Sequence, residues 1–194
     1  YAIIVLIFLC GIIFLVFHKS KLPSLPGEYQ VSKTSFHMVD ASRIEEFSDN
    51  PQQNRELMVV VYYPVDQLLM TKKPIYMDKD LRVGLSGLLN LPGFLFDRIN
   101  SRCGSNLPVS IKAEKYPVLL FSPGLGSHAI FYSSLLEDIA SHGYIIACIS
   151  HPYSDHCVVF PDGRVIKRGT GDYSDEDEKE KAKILDTWSK DTIF

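Results

Sequence analysis

The chain has 194 residues, 46% of them apolar and 22% charged, and its 20 Lys and Arg against 23 Asp and Glu leave a net charge of −3. This composition supports a buried core and excludes disorder, collagen-like repeats and a disulfide-dense scaffold. The lack of a basic excess removes the broad phosphate-neutralising face that nucleic acid requires, and the length is that of one domain.

The sixteen residues Ala2 to Phe17 carry no charge, and His18-Lys19-Ser20-Lys21 follows with no small-x-small cleavage pattern. A spanning helix takes about 20 apolar residues and a signal-peptide core about 7 to 15. Residues 1–18 are therefore expected to form an uncleaved single-pass membrane anchor, a secretory signal being the alternative, with the orientation left open. Residues 19–30, which include Pro23, Pro26 and Gly27, read as a linker, and residues 31–194 as the folded part. Because the chain starts at Tyr1 and stops at Phe194 without a polar tail, it is expected to be the N-terminal portion of a longer protein.

Glu56 to Tyr63 (ELMVVVYY) is β-branched and aromatic and predicts a strand, with Thr34 to Val39 as its hairpin partner and Asp49 to Asn54 as the turn. Leu85 to Ile99, broken at Pro92-Gly93, predicts two short helical turns or a lid-like loop, capping the core or presenting an apolar surface to lipid. Val118 to Phe121 reads as a strand buried on both faces. Ile130 to His142 has helical spacing and ends at Gly143, and Tyr144 to Ile149 is a second buried strand. Strand, Gly turn, helix and strand make a βαβ unit, which predicts an α/β fold with a parallel central sheet. A hairpin follows from Val158 to Ile166 around Pro161-Asp162-Gly163. The Glu/Lys pattern of Asp172 to Lys183 then predicts a solvated helix whose buried face would come from Ile184, Leu185, Trp188 and Ile193. The cysteines Cys10, Cys103, Cys148 and Cys157 have no C-x-x-C spacing, so no metal site is read from them, and Cys148 in its apolar run reads as an inert buried thiol.

The chemistry concentrates at Gly124-Leu125-Gly126, where a strand turns into a helix and backbone N–H groups converge in front of the helix dipole. Such a turn holds an anion, either a phosphate or the oxyanion formed when an ester carbonyl is attacked. A dinucleotide site would also need an acidic residue at the end of the next strand, and Ser150-His151-Pro152 stands there instead.

Lys115-Tyr116-Pro117-Val118-Leu119-Leu120-Phe121-Ser122-Pro123-Gly124-Leu125-Gly126, then Tyr132-Ser133, Leu136, Asp138 to Ala147 and His151, resembles the platelet-activating factor acetylhydrolase family. Tyr62-Tyr63-Pro64 and the apolar Leu85 to Phe96 segment are similar to the same family, more weakly. The resemblance implies an α/β-hydrolase fold, incomplete in this chain and preceded by the transmembrane helix. It also implies hydrolysis of the short sn-2 acyl ester of a phospholipid by a serine nucleophile, at a membrane and without metal or other cofactor. By that resemblance Gly124, Leu125 and Gly126 form the oxyanion loop, and the Leu125 backbone N–H is the oxyanion donor. His151, at the end of a strand, either lines the substrate pocket or is a hydrogen-bonded structural residue. Pro123 stands where the family has His, which removes a bracing side chain but leaves the Leu125 donor.

No G-x-S-x-G is present: Gly84-Leu85-Ser86-Gly87 is one residue short, and the adjacent Ser127-His128 cannot work in line across a substrate. No complete triad is legible, so nucleophile, acid and base are expected beyond Phe194. The alternatives are a non-catalytic membrane-anchored binding protein on half a hydrolase scaffold, and an α/β-hydrolase for another ester. Oligomeric state is not legible.

Overall fold

The computed structural model describes residues 11, 20–66, 76–77, 79–168 and 178–194. The expected anchor, Ala2 to Phe17, lies almost wholly outside them. No helix among the described residues is long and apolar enough to cross a membrane.

The elements run β1 (Ser20–Lys21), β2 (Gln30–Ile44), β3 (Asn54–Val65), α1 (Lys79–Leu89), a 3-10 turn (Gly93–Arg98), β4 (Ile99–Asn100), β5 (Gly104–Ser105) and β6 (Val118–Phe121). They continue with a second 3-10 turn (Ala129–Tyr132), α2 (Ser133–Ser141), β7 (Ile145–Ser150), β8 (Cys157–Val159), β9 (Val165–Lys167) and α3 (Glu178–Ile193). Among the described residues, five strands form the central sheet in the order β5-β2-β3-β7-β6.

The predicted hairpin, βαβ unit and second hairpin all form. The sheet, however, is mixed rather than parallel: β6 and β7 are parallel, whereas β2 with β3 and β3 with β7 are antiparallel. The turn around Asn50-Pro51 is too short for a crossover, and a short connection can only return the chain antiparallel. Between β6 and β7 the helix α2 provides the length that a parallel return needs.

Period-two alternation divides the sheet into two apolar faces. Val60, Tyr62, Ile146 and Cys148 pack with Val31, Leu136 and Ala140 beneath α2. Leu57, Val59, Val61, Ala147 and Ile149 face the other way. Burial pushes the Cys148 thiol up to about 12, so it is inert, as its apolar run predicts.

Burial departs from expectation at two elements. Strand β6 is not buried on both faces: Val118 is 60% and Leu120 57% exposed, because among the described residues β6 ends the sheet and pairs with β7 alone. On α3, Leu185 and Ile193 are exposed, and the buried positions are Ile184, Thr187 and Asp191. The inward stripe of α3 is thus partly polar, a choice that apolar periodicity cannot reveal.

The predicted helix at Ile130 begins as a 3-10 turn at Ala129, where the Ile130 N–H donates to His128 Nδ1 at 3.0 Å. Its end is as expected, with Gly143 at φ +90. Pro92-Gly93 separates α1 from the following turn, and Leu91 and Phe94 remain exposed there.

Candidate active site

Because β6 and β7 are parallel, Ser122 and His151 leave the sheet at the same carboxyl edge, where open α/β sheets present their ligand sites. The Gly turn sits on this edge. The Gly124 N–H donates to the Tyr132 hydroxyl at 3.2 Å, the Gly126 N–H to the Ser154 carbonyl at 2.9 Å, and the Ser127 N–H to the Gly124 carbonyl at 2.8 Å. Gly126 has φ +72, in the left-handed region, and Arg168 packs so closely on it that a Cβ there would meet Nη1 at 2.6 Å. The turn is therefore held on three N–H groups. The fourth, that of Leu125, has no hydrogen-bond partner among the described residues.

His151 is completely buried, and both ring nitrogens are engaged. Nδ1 lies 2.8 Å from Asp191 Oδ2 and Nε2 lies 3.1 Å from Ser122 Oγ, while Trp188 stacks on the ring face at 4.5 Å between centroids. Asp191 is reached from α3 because Ile184, Thr187 and Asp191 share the inward stripe. Arg55 of β3, 2% exposed, grips Asp191 with Nε at 3.1 Å and Nη2 at 2.6 Å and holds Glu45 with Nη1 at 2.6 Å. Arg43 adds an ion pair to Asp191 at 2.9 Å.

The electrostatics assign the protons. Burial opposes ionisation of Asp191, but the hydrogen bonds from His151 and Arg55 outweigh it and hold the carboxyl at about 2. Burial likewise lowers the His151 imidazole below its ordinary value, only partly offset by Asp191. At neutral pH Asp191 is a carboxylate that only accepts, so the neutral ring keeps its proton on Nδ1. Nε2 is then the acceptor, and Ser122 donates to it. Ser122 is itself exposed.

No triad is legible in the sequence, and the fold links Ser122, His151 and Asp191 in a series of hydrogen bonds. The three are 29 and 40 residues apart, with no motif spacing to connect them. Of the expected site residues, Gly124, Leu125 and Gly126 form the turn, whereas His151 is buried with both ring nitrogens hydrogen-bonded. Gly84-Leu85-Ser86-Gly87 lies within α1 and forms no elbow. Ser127-His128 is turn and cap: the Ser127 carbonyl accepts from His156 N–H at 2.9 Å, and His128 caps Ile130.

The sequence profile of the family described as platelet-activating factor acetylhydrolase, isoform II, matches residues 14–184. The chain belongs to this family. Curated relatives include the platelet-activating factor acetylhydrolase of Canis lupus familiaris, 30% identical over 140 residues, which are 69% of this chain and 29% of that protein. The probable 1-alkyl-2-acetylglycerophosphocholine esterase of Arthroderma benhamiae is 33% identical over 82 residues, 40% of this chain and 20% of that protein. The chain thus spans less than a third of the length of these two members. A solved ferulic acid esterase from Streptomyces cinnamoneus superposes with a TM-score of 0.67 at 27% identity, over 87% of this chain and 48% of that one, which supports an α/β-hydrolase-like fold.

One buried acid of the family member stands outside this bonding. Burial raises the Asp155 carboxyl to about 8. A raised folded-state pKa means that the native chain binds more protons than the unfolded one from about pH 4 to 8, so stability falls as pH rises through that window. Asp155→Asn is expected to raise the melting temperature at pH 8 and change it least at pH 4, read by thermal unfolding at both. A variant effect independent of pH would show that Asp155 does not titrate in this way.

Proposed function

We propose that this chain contributes the oxyanion-stabilising part of a lipid esterase that hydrolyses the short sn-2 acyl ester of platelet-activating factor-like phospholipids. The unpartnered Leu125 N–H carries the reading. It lies on a turn whose other N–H groups are occupied, in the segment where the family resemblance is closest, and such a donor stabilises the charge that develops on an attacked ester carbonyl. Attack by a serine would give an acyl-enzyme that water resolves, with the G-x-S-x-G serine and its acid and base supplied by polypeptide beyond Phe194. Exposed Leu89, Leu91 and Phe94 favour a lipid substrate, and the uncharged Ala2 to Phe17 run favours a membrane-held site.

Expression of the reading frame that encodes these residues, through to its stop codon, tests this by assay of acetyl and palmitoyl sn-2 phosphatidylcholines. Release of acetate in preference to palmitate is expected. Hydrolysis of neither would remove the esterase reading and leave a binding role on a hydrolase scaffold. The ferulic acid esterase likeness favours a second reading, an esterase for a different acid, which preferential cleavage of feruloyl esters would establish.

A further inference from the structure

We propose that Arg168 receives the phosphate of the substrate headgroup beside the Gly turn, so that the chain selects phosphate-bearing esters over neutral ones. This rests on the esterase reading above for its substrate, and goes beyond it by naming the group that tells a phospholipid from an uncharged ester.

The Arg168 side chain runs along Gly126: a Cβ there would meet Nη1 at 2.6 Å, Cζ at 3.5 Å and Cδ at 3.8 Å. Glycine at φ +72 gives the guanidinium a place that any other residue would push it out of. Gly126 directly follows Leu125, whose N–H has no hydrogen-bond partner among the described residues. A guanidinium therefore stands one residue from the donor that the turn leaves open.

The fold carries it there on a fixed element. Strands β8 and β9 pair antiparallel with Cys157 opposite Lys167, and the Gly163 N–H closes their turn on the Phe160 carbonyl at 2.9 Å. Just before β8 the His156 N–H donates to the Ser127 carbonyl at 2.9 Å, and the Ser154 carbonyl accepts from the Gly126 N–H at 2.9 Å, so this end of the hairpin is bonded to the Gly turn. Arg168, the residue after β9, leaves the hairpin at that same end. The hairpin is tied to the sheet in turn, since Arg164 reaches Glu56 of β3 with Nη1 at 3.1 Å and Nη2 at 2.8 Å. Such a mounting lowers the cost of ordering the cation around a ligand.

A phosphodiester is the anion that suits this place. In a glycerophospholipid only two glycerol carbons and two ester oxygens separate the sn-2 carbonyl carbon from the phosphorus. A carbonyl at the Leu125 N–H thus keeps its phosphate within a reach comparable to the spacing of neighbouring residues, about 3.8 Å between Cα atoms. The guanidinium presents its N–H groups in a planar fork that matches two phosphate oxygens. The phosphate takes no part in breaking the ester, so its contact is the same in ground and transition states and acts on KM.

The test has a binding arm and a kinetic arm. In the first, the full 194-residue chain in a maltoside detergent is titrated with glycerophosphocholine and with inorganic phosphate, followed by the amide resonances of Leu125 and Gly126. Glycerophosphocholine should shift both, with binding about ten-fold weaker in Arg168→Gln and partly restored in Arg168→Lys. Equal binding by Arg168→Gln overturns the proposal, and a response to inorganic phosphate alone assigns a free-phosphate site in place of the headgroup and overturns it as well. In the second, the expressed product of the whole reading frame is assayed on 1-hexyl-2-acetyl-glycerophosphocholine and on the neutral 1-hexyl-2-acetylglycerol. Arg168→Gln should lower the ratio of kcat/KM for the phospholipid over the neutral ester about ten-fold, through KM. An unchanged ratio, with both substrates slowed alike, means that Arg168 only braces the Gly turn and overturns the proposal. If the wild-type product hydrolyses neither ester, the esterase reading falls, while binding of glycerophosphocholine that depends on Arg168 still stands on the first arm.

Discussion

Arg55→Met is expected to destabilise the fold by about 3–5 kcal/mol, the usual cost of removing one partner from a buried ion pair. Arg55 is 2% exposed and balances two buried carboxylates, Asp191 and Glu45. Folded domains hold only about 5–15 kcal/mol in total, so the loss takes a large part of the stability. Urea unfolding followed by the emission of Trp188, the chain's only tryptophan, measures it directly. The double variant Arg55→Met with Asp191→Asn should lose less than the sum of the two single changes, because it removes one of the two orphaned charges together with their partner. A loss below about 1 kcal/mol for Arg55→Met would mean that α3 is held to the sheet by apolar packing of Ile184 and Trp188 and not by this network.

Leu125→Pro separates the backbone donor from the side chain. It removes one N–H and no hydrogen bond, since that N–H has no partner among the described residues. In the expressed product of the whole reading frame, kcat for short-acyl phospholipid should fall by about 10²–10³-fold with little change in KM, the usual cost of an oxyanion donor. Leu125→Ala keeps the N–H and should keep the rate to within a few-fold. If the alanine variant were as slow as the proline variant, the 40% exposed side chain would be what matters, through contact with substrate, and the oxyanion assignment would fail.

Both experiments concern groups of very different legibility. The Gly124-Leu125-Gly126 turn could be found in the sequence because every part of it is local: a strand run, two glycines, an apolar helical stripe and a terminating Gly143 within about thirty residues. The family resemblance lies on that same continuous stretch. Arg55 gave no such signal, being one charge beside the start of a β-branched run. Only the pairing of β3 with β7, and the packing of α3 against the end of that pair, brings it to Asp191 across 136 positions.

The sequence by itself determined β2, β3, β6, β7 and the second hairpin, the hairpin turns, the Gly turn and the βαβ unit, because alternation, turn chemistry and helical spacing act over a few residues, whereas the two-residue strands β1, β4 and β5 left no such pattern. The tertiary structure decided three things: that the sheet is mixed, that β6 is its exposed edge, and that Ser122, His151 and Asp191 meet. Each depends on which elements lie side by side. Burial of a polar side chain such as Asp191 is favourable only when a distant partner is already in place to receive it.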